Sequence, residues 1–123
     1  MNNQEFKDQF KKRLIKFSLE TIKLCQEIRK NRNFYPIADQ LIRSATSIGA
    51  NVVEAKGSSS KKDFARFFEI AYKSSNETQY WLFLIKETSN NTQIDHLLNE
   101  CQEIAKMLCS SILTMKGKKN YQL

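Results

Sequence analysis

Residues 64–85 read FARFFEIAYKSSNETQYWLFLI, and the spacing of their apolar positions decides the fold. Phe64, Phe68, Ala71, Ser75, Thr78, Leu82 and Ile85 follow one another at steps of 4, 3, 4, 3, 4 and 3, the rhythm of a helix packed along one seam. Directly beside that seam run Phe67, Ile70, Ser74, Glu77, Trp81 and Leu84, again at steps of 3 and 4. Two adjacent seams make about half of the circumference apolar. The spacing predicts a helix over 60–88 that is the most buried of the chain. Ser60-Lys61-Lys62-Asp63 opens it as a variant capping box, and Thr88-Ser89-Asn90-Asn91-Thr92 closes it and caps the next element.

The same rhythm extends on both sides. Upstream, Phe10, Leu14, Phe17, Thr21, Leu24 and Ile28 set a seam within a helix over about 4–31, with a second stripe, Ile15, Leu19 and Ile22, about 100° round the axis. Asn31 to Tyr35 break the pattern, and Pro36 suits the first turn of a helix. That helix, over 36–56, carries its seam on Ile37, Leu41, Ala45, Ile48, Val52 and Ala55 and is rich in small residues such as Ser44, Ser47, Gly49 and Ala50. Gly57 reads as its C-cap. Downstream, Leu97, Cys101, Ile104, Leu108, Ser111 and Met115 mark a fourth helix over 92–115, followed by a basic tail, 116–123. Short connections favour antiparallel neighbours, so the expected fold is all-α, a single domain forming an up-down-up-down four-helix bundle.

Composition agrees. The 123 residues are 41% hydrophobic and include one Pro and three Gly, which is enough for a core and too little turn punctuation for most β-rich folds. The longest uncharged apolar run, Tyr80 to Ile85, has six residues, whereas a membrane span needs about 20. With no basic-then-apolar leader at Met1 to Glu5, the expected location is the cytoplasm. Cys25, Cys101 and Cys109 lack CxxC spacing and sit on apolar stripes, where they read as small core residues in a reducing compartment.

Twenty Lys/Arg against thirteen Asp/Glu give a net charge of +7, of which residues 1–33 contribute +5. Lys12, Lys16, Lys23 and Lys30 form a strip on the first helix away from its seam, with Arg13 beside it; Lys116, Lys118 and Lys119 add charge in the tail. Such a strip suits a phosphate backbone, and it equally suits a solvated, solubilising helix face. No catalytic or metal-binding constellation is visible. His96, the single histidine, has no Glu three residues before it, the spacing of bundle di-metal sites. Zinc spacing, GxGxxG and a P-loop are missing as well. No enzyme, metal or cofactor is expected.

Two features concern packing. Glu77 lies on an apolar stripe, where a carboxylate needs a partner, and Arg43, Ser47, Asn51 and Glu54 share one polar strip of the second helix. A buried polar network is expected from these, for example Arg43 with Glu77. The second stripes of the first and third helices exceed what one small bundle hides, and monomers rarely expose large apolar patches. Ile15, Leu19, Ile22, Phe67 and Trp81 are therefore expected at an interface between copies.

The segment Ile37 to Ile48 followed by Asn51-Val52-Val53-Glu54 resembles the central signature of the bacterial four helix bundle proteins, typified by those encoded in intervening sequences of 23S ribosomal RNA genes. Phe64 to Ala71, then Ser74 and Glu77, resembles their second signature. The resemblance covers about residues 5–115. It implies a four-helix subunit that assembles into a ring, usually a homopentamer, and kinship to the accessory variability protein of diversity-generating retroelements, a basic barrel that works with a reverse transcriptase and nucleic acid. It implies a structural role for Arg43, Asn51, Glu54, Ser74 and Glu77. Gly49 stands where many relatives have Pro, and Ala55 and Lys73 where many have Gly. The expected function is that of a non-enzymatic oligomer binding nucleic acid, RNA ahead of DNA; the alternative is a scaffold for a protein partner such as a reverse transcriptase.

Overall fold

The computed structural model describes residues 3–117. Every regular element among them is helical: α1 (Asn3–Ile28), a 3-10 turn (Arg32–Phe34), α2 (Tyr35–Ala55), α3 (Lys61–Thr88) and α4 (Gln93–Met115). They pack as a four-helix bundle. Helices α2, α3 and α4 pair most extensively in sequence order, and α1 leans mainly on α2 and less on α4.

The helix ends follow from local chemistry, with three departures from expectation. Helix α1 stops at Ile28, three residues early, because Asn31 turns the chain instead of extending the helix: its side-chain oxygen accepts from the Asn33 amide at 3.0 Å. Pro36 falls in the first turn of α2 as expected. Ser60 caps α3, its Oγ accepting from the Asp63 amide at 3.0 Å. At α4 the capping side chain belongs to Asn91, whose oxygen accepts from the Gln93 amide at 2.9 Å, and Thr92 makes no such bond. Gly57 does not adopt the left-handed cap conformation; among the described residues only Gly117, just past α4, has positive φ, at 69°.

The core follows most of each seam, with Met115 at the end of the α4 seam exposed and Ile37, Val52 and Ser111 half-buried. All six α1 seam residues are buried, as are six of the seven on the first α3 seam, Phe64 being half-buried. Phe17, Leu41, Ile48, Leu82, Leu97, Ile104 and Leu108 are among the largest fully buried side chains, drawn from every helix. The second α3 stripe is different: Phe67, Ile70, Trp81 and Leu84 are half-buried and Glu77 is exposed. The polar atoms of the core are hydroxyls satisfied locally. Thr21 Oγ1 donates to the Phe17 carbonyl at 2.9 Å, and Thr78 and Ser44 link α3 to α2 at 2.9 Å.

Candidate nucleic-acid interface and exposed apolar surfaces

The expected cationic strip separates into different roles. Lys12, Lys16 and Lys23 stand exposed on α1 without an ion pair. Lys30 is exposed and reaches Glu27 one turn earlier at 3.1 Å. Arg13 is half-buried and turned inward. Its Nε and Nη2 fork onto the two oxygens of Glu100 on α4 at 2.7 and 2.8 Å, with the Met107 sulfur at 3.3 Å from Nη1. The bidentate hydrogen bond raises the arginine pKa, and the same bond holds the Glu100 carboxyl below its ordinary value against a partial desolvation that pushes the other way. Arg13 is thus a strut between α1 and α4, joined by His96, whose Nε2 lies 3.1 Å from Glu20 across the same seam. Lys116 meets Glu69 at 2.7 Å. Lys118 and Lys119 lie outside the described residues.

The expected polar network forms in part: Asn51 and Ser74 join it through Ser47, whereas Arg43, Glu54 and Glu77 stay outside it. Asn51 donates to the Ser47 carbonyl at 2.8 Å and to its hydroxyl at 2.9 Å, and Ser74 Oγ donates to Ser47 Oγ at 3.0 Å. Ser47 is therefore the hub between α2 and α3. Arg43 and Glu54 are exposed and make no side-chain ion pair among the described residues. Glu77 does not meet Arg43: it accepts from the Trp81 indole N–H at 2.9 Å, one turn along its own helix, in water rather than in the core.

Two apolar surfaces remain uncovered. Ile15 and Leu19 are 50% and 54% exposed and, with Val53 at 50%, border a groove of about 690 Å³ between α1 and α2, over Leu14 and beside Gly49. A Cβ built on Gly49 would touch Leu14 Cβ at 3.6 Å, an ordinary contact. On the outer side of α3, Tyr80 and Phe83 are 56% and 50% exposed. Of the other expected interface residues, Ile22 is half-buried, Phe67 is half-buried under the Arg66 guanidinium at 4.5 Å, and Trp81 packs partly against the core. Val53, Tyr80 and Phe83 were not anticipated as surface residues. Their signal was present, since Tyr80 and Phe83 are one turn apart and belong to neither α3 seam.

Cys25 and Cys101 are packing groups as expected, whereas Cys109 is half-buried rather than a core residue. Burial pushes the Cys25 thiol up to about 11 and the Cys101 thiol up to about 12, and each lies against a backbone carbonyl, of Ala38 and Ser75. Among the described residues no three His, Cys, Asp or Glu side chains gather in a way that would hold a metal, and no helix is long and apolar enough to cross a membrane.

A family model described as 23S rRNA-intervening sequence protein matches residues 7–110. A crystal structure of a protein of unknown function from the S23 ribosomal protein family of Bacteroides thetaiotaomicron superposes with a TM-score of 0.78 at 34% identity, covering 84% of this chain and 97% of that one. No curated protein matches.

Proposed function

The chain belongs to the 23S rRNA-intervening sequence protein family, and from that premise we propose that it is a non-enzymatic homo-oligomer, a pentameric ring, that binds nucleic acid through phosphate contacts, RNA ahead of DNA. The observation that carries the binding is the surplus of cations left without carboxylates. Arg13, Arg29, Lys30, Arg66, Lys86, Lys106 and Lys116 are engaged in ion pairs, so eleven of the eighteen described Lys/Arg are not. Unpaired surface cations attract polyanions and release their counterions on contact. The family description, which ties its members to 23S rRNA intervening sequences, favours RNA.

Assembly is supported by the two uncovered apolar surfaces. The α1–α2 groove and the Tyr80–Phe83 ridge of α3 lie on different faces, so a ridge seated in the groove of the next copy is a head-to-tail contact. Contacts of that type close into rings when the rotation permits. A ring repeats the positive surface once per subunit, which raises avidity for a long anion.

The test is anisotropy of a fluorescein-labelled RNA hairpin titrated with the protein across a series of KCl concentrations, with native mass spectrometry on the same sample. Binding with log K falling linearly against log salt, by a species of several subunits, is the expected result. Absence of binding at roughly 0.1 M KCl overturns the nucleic-acid reading, and a monomer at micromolar concentration overturns the ring.

A further inference from the structure

Folding redistributes the charge in a way that the linear sequence does not display. In an antiparallel bundle the start of α1, the end of α2, the start of α3 and the end of α4 come to the same end. The half of the molecule nearest that end, residues 3–15, 46–74 and 105–117, carries eleven Lys/Arg and five Asp/Glu, a net of +6. The opposite half, residues 16–45 and 75–104, carries seven against eight, a net of −1. The positive field is therefore axial. It does not run along the outside of α1, because the far part of that helix lies among Glu20, Glu27, Asp39 and the carboxylates of α4.

Within the positive end the cations converge. Lys61, Lys62 and Arg66 from the start of α3 and Lys116 from the end of α4, with one carboxylate, Glu69, among them, border one hollow of about 490 Å³. Lys7, Lys11 and Lys56 stand at the neighbouring mouth of the α1–α2 groove. Lys56, Lys61 and Lys62 have no ion-pair partner among the described residues; Arg66 and Lys116 are exposed beside theirs. The placement of Lys61 and Lys62 is itself informative. They occupy the first turn of α3, where the helix macrodipole favours acids and opposes cations, so local helix stability does not account for two lysines there.

Resting on the nucleic-acid reading above, we infer that this end of the bundle, centred on Lys61, Lys62, Arg66 and Lys116, is the surface that takes the phosphate backbone of RNA. Rotation about a ring axis preserves height along that axis, so every copy in a cyclic assembly presents its positive end at one level, and one strand meets several copies. An anionic membrane is the less suitable occupant. The four helices meet this end by their termini, whereas interfacial binding uses a helix lying in the plane of the membrane surface.

The test compares K61E/K62E with K23E/K30E, a pair on the far half of α1, in the full chain. The readouts are anisotropy with a fluorescein-labelled RNA hairpin, co-sedimentation with phosphatidylserine–phosphatidylcholine vesicles, and thermal melting. K61E/K62E is expected to weaken RNA binding about tenfold or more and to reduce the magnitude of the salt slope by ~2. Its melting temperature should be unchanged or higher, since acids suit a first helical turn. K23E/K30E should lose less in both binding readouts. A larger loss for K23E/K30E, or unchanged binding for K61E/K62E, overturns this assignment while the nucleic-acid reading stands. Vesicle capture by the wild-type protein without RNA binding overturns both.

Discussion

Replacing Ile15 and Leu19 by glutamine tests whether the α1–α2 groove is a subunit contact. Each side chain is about half exposed in the single chain. Full burial of such a side chain yields about 1.5–3 kcal/mol, so covering the remaining half contributes ~1 kcal/mol each. The double variant I15Q/L19Q should therefore weaken every interface by about 2 kcal/mol, a factor of roughly 30 in the association constant at about 1.4 kcal/mol per tenfold. Glutamine is a good helix former and removes little buried area, so the fold of the subunit should persist, with helix content by circular dichroism unchanged. Sedimentation velocity over a dilution series is the assay. Wild-type protein should hold its assembled mass to concentrations at which I15Q/L19Q has dissociated. Phe83→Gln, on the other face, should do the same. Because the proposed contact joins two unlike faces, an equimolar mixture of I15Q/L19Q and F83Q chains leaves one intact pairing, the normal ridge of the first against the normal groove of the second. The mixture should therefore form dimers and nothing larger. An I15Q/L19Q protein that stays assembled at every dilution refutes the assignment of this groove, and larger assemblies in the mixture refute the head-to-tail arrangement.

Other consequences concern the subunit itself. Phe17→Ala empties the most central aromatic position, 1% exposed, and should cost about 3–5 kcal/mol, read as a lower urea midpoint at constant m-value. Thr78→Val removes the hydroxyl that joins α3 to Ser44 of α2 and should cost ~1 kcal/mol in the same assay. Gly49→Ala fits the space beside Leu14 and should stabilise the subunit by up to about 1 kcal/mol through helix propensity. Glu100 has a depressed pKa through its bond to Arg13, so its contribution is present above the unfolded-state pKa and is lost as pH falls through the folded one. The stability gap between wild type and Glu100→Gln should thus be full near neutrality and close below the ordinary Glu value of about 4.3, as followed by urea titrations at stepped pH. With a thiol reagent at mildly alkaline pH, Cys25 and Cys101 should stay unreacted until denaturant is added, whereas half-buried Cys109 reacts in the native protein.

The seams were legible because a helix repeats its angular position every few residues, so Phe10 to Ile28 and Phe64 to Ile85 announce their burial without any partner being known. The polar contacts were less so. A stripe position gives an angle, not a partner: Glu77 sits at the edge of its stripe, where the Trp81 indole one turn away and water satisfy it in place of Arg43, and Ser47 is the hub because short hydroxyls fit between closely packed helices. Arg13 and Glu100 are 87 residues apart, and nothing local marks them as a pair. The positive end was hidden for the same reason. Lys61, Lys62 and Lys116 belong to segments that only antiparallel packing brings together, so a count along the chain assigned the excess to α1.

The α1–α4 seam has a consequence for how the subunit opens. It is the sparsest helix pairing around the bundle, and polar links on its surface, Arg13 to Glu100 and Glu20 to His96, fasten it. Links of that exposure contribute on the order of 1 kcal/mol or less and weaken with salt, whereas the α2–α3 and α3–α4 pairings are more extensive than either pairing of α1, although α1 also buries Phe17 and Thr21 in the shared interior. Helix α1 is therefore expected to be the first cooperative unit to detach. Its backbone amides should exchange with deuterium through a partial opening that leaves the other three helices protected, and raising the ionic strength should hasten that exchange before the melting of the whole domain moves.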